Sequence, residues 1–298
     1  MSPQKDDLRQ AFGLGQAHPA LVAPTTLTAA EDDTCRTEEV HFDLGSAGFA
    51  RAFWCRPTRT TGPSPAVLVI HAHGDRYDIG AAELVHGRPA LFAPTGPALA
   101  ARGIASLCLD MPCFGSRSGQ SESAAAKALL WEGRSLAGQM LAENLAALDW
   151  LAAQPEVDAD RIGVFGLSMG ATLAYWLGAL DARLRAVAHL CCLADFRTLI
   201  ALGQHDLHGI YLTVPGLLAH ASNGQIAGLI APRAQFIGLG DLDPLTPPAA
   251  TAPALDAVRT AYAAQGGRLV IHREPASGHV ETPAMHRAML DFFTSTLA

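Results

Sequence analysis

Ser168 stands between Gly166 and Gly170 in RIGVFGLSMGATLAYW (161–176), where an apolar run gives way to a stretch of helical character. A serine hydroxyl is a weak nucleophile at neutral pH. It needs a base to take its proton and a third group to orient that base. The pattern Gly-x-Ser-x-Gly alone is weak: with 28 glycines in 298 residues, roughly one chain in ten of this composition carries it by chance. Its setting is more specific. A nucleophile on a strained strand-to-helix turn requires a strand running into it, a helix leaving it, and small residues two positions before and after. Arg161–Gly166 reads as the strand, Gly166 and Gly170 are the small flanks, and Met169–Leu180 holds good helix formers without proline.

A serine on such a turn takes its acid and then its histidine from later strand ends. GLGDLDPLTPP (238–248) and EPASGHVETP (274–283) follow the last two apolar runs. His279, beyond a Ser-Gly turn, is the expected base, whereas His272 lies within a strand and His286 within the final helix. Asp241 and Asp243 both lie in the acid loop. Asp243 is favoured because Pro244 and Pro247 stiffen its turn, and Asp241 is the alternative. The free imidazole is the working form, so activity should rise with pH as His279 gives up its proton.

A tetrahedral intermediate also needs backbone N–H donors. The amides of Met169, directly after the serine, and Asp75, in the loop leaving PSPAVLVIHAHGD (63–75), are the expected pair. Arg76 and Asp78 read as an ion pair beyond that loop. The same stretch offers a rival chemistry: His71, His73 and Asp75 alternate, as the ligands of a metal-dependent hydrolase would on one strand face. No second His-x-His cluster follows, so they read instead as hydrogen-bonded residues supporting the loop, with no metal and no cofactor expected. A further rival is a non-catalytic binding protein of the same fold, which would be expected to lack one of the three reacting side chains.

Elements able to hold these groups alternate along the chain. Eight short apolar or alternating runs (37–44, 48–57, 63–75, 104–110, 161–166, 185–192, 233–240, 267–274) read as strands, the first two as a hairpin. Helical stretches occupy about 124–153, 169–180, 249–265 and 283–297. Continuous β-branched runs suit strands buried on both faces, as in a parallel sheet between helices. Residues 1–36 read as an N-terminal arm that could serve a homodimer contact, and 37–298 as one domain. Within it, 193–230 is too long for a simple crossover and reads as a cap insertion. His208, Tyr211 and Leu217 in this cap are candidate substrate contacts. Trp131, Trp150, Tyr175 and Trp176 read as core.

HAHGD, GLSMG, GDLDPLTP and SGH, in that order on alternating strands, resemble the α/β-hydrolase superfamily over about residues 37–298. GLSMG with IAPR (230–233) is similar to its dienelactone-hydrolase and acetyl-xylan-esterase-like branch. The resemblance implies an α/β-hydrolase fold with a mostly parallel eight-stranded sheet flanked by helices. It implies carboxylic ester hydrolysis through an acyl-enzyme on a Ser-His-Asp triad, without a cofactor. The same triad could act on amide, thioester or C–C bonds. Two features depart from the pattern. Dienelactone hydrolases carry a cysteine nucleophile where this chain has Ser168, and HAHGD replaces the H-G-G-G loop of many lipases.

Composition narrows the remaining classes. Hydrophobic residues make up 49% and charged ones 16% of the chain, which is globular and not disordered. A net charge of −7 argues against a nucleic-acid surface or an anionic membrane as partner, leaving a small-molecule ester. The N-terminus has no apolar core of signal-peptide length, and no run reaches a membrane span, so a cytoplasmic protein is expected. The six cysteines lack a C-x-x-C spacing and read as buried small hydrophobes.

Overall fold

The computed structural model describes residues 5–15 and 21–298. Its strands are β1 (Val22–Glu31), β2 (Cys35–Asp43), β3 (Phe49–Pro57), β4 (Ser64–Ile70), β5 (Ala105–Leu109), β6 (Val157–Leu167), β7 (Leu184–Leu190), β8 (Ala234–Gly240) and β9 (Leu269–Glu274). They form one nine-stranded sheet in the order β1-β2-β3-β5-β4-β6-β7-β8-β9. β4 to β9 run parallel to one another, and β1, β2 and β3 add antiparallel pairings at one side. All eight expected strands are present.

The ninth strand, β1, comes from the stretch read as an arm. Its sequence, VAPTTLTAAE, contains a proline, and residues 25–31 are exposed. An edge strand packed on neither face carries no hydrophobic alternation by which to find it. The helix Lys5–Ala11 ahead of it packs on the main body, where the Phe12 ring lies 4.8 Å from that of Trp176.

Inner strands are buried on both faces, β5 and β8 along their whole length. One face packs on the helices Leu136–Ala152, Met169–Leu180 and Pro248–Gln265, and the other on Thr95–Ala100 and Pro283–Leu297. All six cysteines are buried and unbridged. The expected helix at 124–153 is two helices, Glu122–Trp131 and Leu136–Ala152. Gly133 turns the chain at φ +70°, and Ser135 caps the second helix by accepting from Gly138 N at 3.0 Å. Trp131 therefore ends a helix at this turn. It is 93% exposed, not core, whereas Tyr175 and Trp176 are enclosed and Trp150 packs edge-on against Phe42 and Trp54.

The interior also holds a fully buried titratable group. His189, in β7, accepts from Gln235 Nε2 at 2.9 Å, and burial alone pushes its pKa down to about 3. An imidazole depressed in the folded state stabilises the fold above its ordinary value, and that stability is lost as pH falls towards the folded value. Between about pH 7 and pH 4.5, His189→Gln should therefore lose about 2–3 kcal/mol less stability than the parent. Urea unfolding at both pH values measures this. Equal losses in the two proteins would show that His189 is not held neutral.

Candidate active site

The expected reactive residues follow the carboxyl ends of the parallel strands β6, β8 and β9, where open α/β sheets present their ligand-binding crevice. β6 ends at Leu167 and delivers Ser168, which adopts φ +57° and ψ −119° before the helix beginning at Met169. Such a backbone is sparsely populated for a residue with a side chain and persists only where its surroundings enforce it. Here the enforcement is visible. A Cβ on Gly170 would meet Ile70 O at 1.9 Å, and one on Gly166 would meet Gly170 O at 2.1 Å. The turn closes only because both residues are glycine. Ser168 N also donates to Leu190 O at the end of β7, at 2.9 Å.

The loop after β9 folds back over the loop after β8. Leu242 N donates to Ser277 O at 2.9 Å, and Gly240 lies directly beneath the carbonyls of Ser277 and Gly278. This close approach brings His279 between Ser168 and Asp243. His279 Nε2 is 2.8 Å from Ser168 Oγ, and its Nδ1 is 2.7 Å from Asp243 Oδ2. The Asp243 side chain is fully enclosed and is itself oriented. Oδ1 accepts from Leu245 N at 2.9 Å, and Oδ2 from the Thr246 hydroxyl at 3.0 Å. Asp241 points elsewhere, into an ion pair with Arg273 at 2.7 Å. With the carboxylate on Nδ1, the imidazole keeps its proton there and offers a free Nε2 to the hydroxyl. Such a series can draw a proton from the serine as its oxygen attacks an acyl carbon.

Of the two expected backbone donors, Met169 N opens the helix after Ser168, and no acceptor for it occurs among the described residues. Asp75 is differently engaged. Its amide donates to Nδ1 of His73 at 3.1 Å, and its side chain is 95% exposed. Geometry thus removes Asp75 N–H as a free donor, a detail set by the His73 ring and invisible in the spacing. The amide of His73 has no acceptor among the described residues. It lies two residues beyond His71, whose carbonyl abuts Gly170, and its strand pairs with that of the serine through Ile70 and Gly166.

The alternating His71, His73 and Asp75 do not gather around one point. His71 Nε2 accepts from Met111 N at 3.1 Å in a fully enclosed site, and burial pushes its pKa down to about 4. His73 Nε2 bonds Glu122 instead. No cluster of three metal-ligating side chains occurs among the described residues. Arg76 and Asp78 form the expected pair, at 2.7 Å.

Residues 193–230 run between β7 and β8 as short helical turns, including Phe196–Ala201, Ile210–Leu212 and Leu217–His220. They enclose a cavity of about 240 Å³ whose wall includes Phe196, Leu199, His208, Leu212 and Leu217. Of the three candidate substrate contacts, His208 and Leu217 line this cavity. Tyr211 does not, and stacks on the His73 ring at 5.1 Å. His208 Nε2 donates to Leu245 O at 3.0 Å, which ties the cavity wall to the Asp243 loop.

One buried carboxylate near the site had no signature in the sequence. Glu122 lies in a stretch that reads as a loop ahead of the helix, yet it opens that helix and reaches three partners. His73 Nε2 is 2.5 Å away, the Tyr77 hydroxyl donates at 3.0 Å, and Tyr211 N donates at 3.0 Å. Burial works against its charge, but these bonds outweigh burial and hold its pKa below the ordinary carboxylate value.

Comparison with known proteins supplies the lineage. The family model described as X-Pro dipeptidyl-peptidase (S15 family) matches residues 51–225, more than half of the chain. The chain belongs to the S15 family. Over 281 residues it is 36% identical to YtaP of Bacillus subtilis, named as a hydrolase, covering 93% of each protein. It is 31% identical over 185 residues to the esterase FrsA of Yersinia enterocolitica, matching 59% of this chain and 37% of that one. Among solved structures, acetyl xylan esterase 1 from Thermoanaerobacterium superposes with a TM-score of 0.71 at 16% identity, over 100% of this chain and 96% of that one. This S15 chain has the α/β-hydrolase fold, shared with acetyl xylan esterase 1. No helix among the described residues is long and apolar enough to cross a membrane.

Proposed function

We propose that this S15 protein is a serine carboxylesterase. Ser168 attacks the acyl carbon, and His279 takes the proton and returns it to the leaving alcohol. Asp243 holds the imidazole in the working tautomer and stabilises its charged form. The amides of Met169 and His73 receive the developing oxyanion. The observation that carries this reading is the unbroken series from Ser168 Oγ through His279 to an oriented Asp243, at 2.8 and 2.7 Å. Residues 193–230 act as a cap. Their cavity of about 240 Å³ is smaller than the ~300–1,000 Å³ of typical ligand pockets. None of Ser168, Asp243 and His279 lines it. Its Leu and Phe wall, tied to the acid loop through His208, suits a short apolar group of the substrate beyond the scissile bond. No cofactor takes part in this scheme.

The family description favours a second reading, in which the same residues cleave a peptide bond after proline. A fluorophosphonate probe followed by peptide mapping tests the nucleophile. An ester series set beside an X-Pro anilide then tests the bond. The expected result is one adduct, on Ser168, with esters turned over faster than the anilide. A folded protein that does not label overturns the serine mechanism, and preference for the anilide overturns the ester assignment.

A further inference from the structure

The geometry points to Glu122 as a positioning residue for the oxyanion loop: its carboxylate fixes the His73 ring, and through it the His73 amide, while holding the cap closed at Tyr211. This inference rests on the serine-hydrolase reading above and concerns the same site.

Three groups from two separate segments meet on the two oxygens of Glu122. Oε2 takes the His73 Nε2 bond and the Tyr77 hydroxyl, both from the loop after β4. Oε1 takes the amide of Tyr211, from the 193–230 segment. The carboxylate is only 6% exposed, and its bonds to His73 and Tyr211 N form away from water, where losing a partner costs most. Glu122 is the first residue of its helix, directly after the capping Ser121. The positive end of the helix dipole therefore favours its negative charge.

The ring of His73 is constrained at both ends. Nδ1 accepts from Asp75 N at 3.1 Å, so it carries no proton, and Nε2–H donates to Glu122. Stacking on Tyr211 at 5.1 Å and edge contact with Phe114 at 5.1 Å fill the remaining space. Because the Asp75 amide bonds back to this anchored ring, the backbone from His73 to Asp75 is restrained, and with it the direction of the His73 N–H. An oxyanion donor is effective only when aimed before the reaction begins.

An uncharged amide cannot reproduce this arrangement. With Glu122→Gln, the single oxygen can serve Tyr211 N or His73 Nε2–H, and the NH₂ end then faces a donor. If the NH₂ faces His73, the ring must move its proton to Nδ1, where it confronts the Asp75 amide. With the oxygen on Tyr211 N, the loop from His73 to Asp75 has to shift; with the oxygen on His73, the cap has to part at Tyr211 and the packing of its ring on His73 is lost.

The experiment measures kcat and KM on a short-chain ester, the affinity of a phenylboronic acid that becomes tetrahedral on the serine oxygen, and the number of sites titrated by fluorophosphonate. In Glu122→Gln, kcat/KM should fall by about 10–100-fold, and boronate affinity should fall by the same factor. The loss should sit in kcat, with the titrated sites per folded protein undiminished. Tyr77→Phe removes one bond to the carboxylate and keeps two. It should show the same paired losses at about 2–5-fold, and it carries the test should Glu122→Gln not fold. Unchanged boronate affinity beside a reduced rate, or a loss explained wholly by fewer titrated sites, overturns the positioning role. Failure of the unaltered protein to label overturns the serine mechanism, and this inference with it.

Discussion

Ser168→Ala is expected to lower kcat by about 10⁴-fold or more while leaving the fold intact. The substitution removes one oxygen, the only protein atom that bonds to the acyl carbon before water, activated by His279, releases the acid. What survives is the donor pair and an imidazole able to activate water, which accounts for a small residual rate. Stability should scarcely change. Alanine at φ +57° and ψ −119° is no more strained than serine, since both carry a Cβ, and Ser168 N keeps its bond to Leu190 O. The one interaction lost is the bond to His279 Nε2, at a partly exposed position. Ester turnover measured beside a thermal melt separates the two effects. A variant that melts like the parent and retains more than about 1% of its rate would mean that Ser168 is not the nucleophile.

The parts of this site that were legible in the sequence are those whose physics is local. The turn at Ser168 needs glycine two residues to each side, and the backbone contacts at Gly166 and Gly170 show why. Inner strands such as β5 and β8 are buried on both faces, so they appear as unbroken apolar runs. Preference for Asp243 over Asp241 followed from the prolines that stiffen its turn, and the structure directs the two side chains to His279 and Arg273 respectively.

What stayed hidden depends on partners distant in the chain or on orientation. β1 is exposed along most of its length and leaves no pattern. The break between the two helices rests on two residues, Gly133 and Ser135, inside a stretch whose helical character runs on across them. Glu122 meets His73 across 49 residues and Tyr211 across 89, and no spacing reports such an encounter. Assignment of the Asp75 amide failed for a related reason. Residue order places an N–H in a loop, but only the ring of the neighbouring histidine decides where that N–H points.

Asp243→Asn separates the two aspartates of the acid loop and carries the second large effect. In the parent, Oδ1 holds Leu245 N, and Oδ2 takes both the Thr246 hydroxyl and His279 Nδ1. Asparagine keeps the shape but supplies one oxygen in place of two. The backbone amide of Leu245 cannot change from donor to acceptor, so the oxygen stays there and the NH₂ turns towards His279. The Thr246 hydroxyl can rotate to accept, but the imidazole must move its proton from Nδ1 to Nε2. In that tautomer Nε2 can no longer take the proton of Ser168, and the positive charge that forms on the ring loses its counter-charge. A loss of about 10⁴-fold in kcat is expected, with KM little changed, because the substrate does not touch this carboxylate. Asp241→Asn removes an exposed ion pair with Arg273, of a kind worth about 0–1 kcal/mol, and should leave kcat within about threefold of the parent. Kinetics on the two variants side by side give the result directly. Comparable losses in both would mean that loop geometry, and not the charge on Asp243, supports the histidine, and a larger loss in Asp241→Asn would reverse the assignment of the acid.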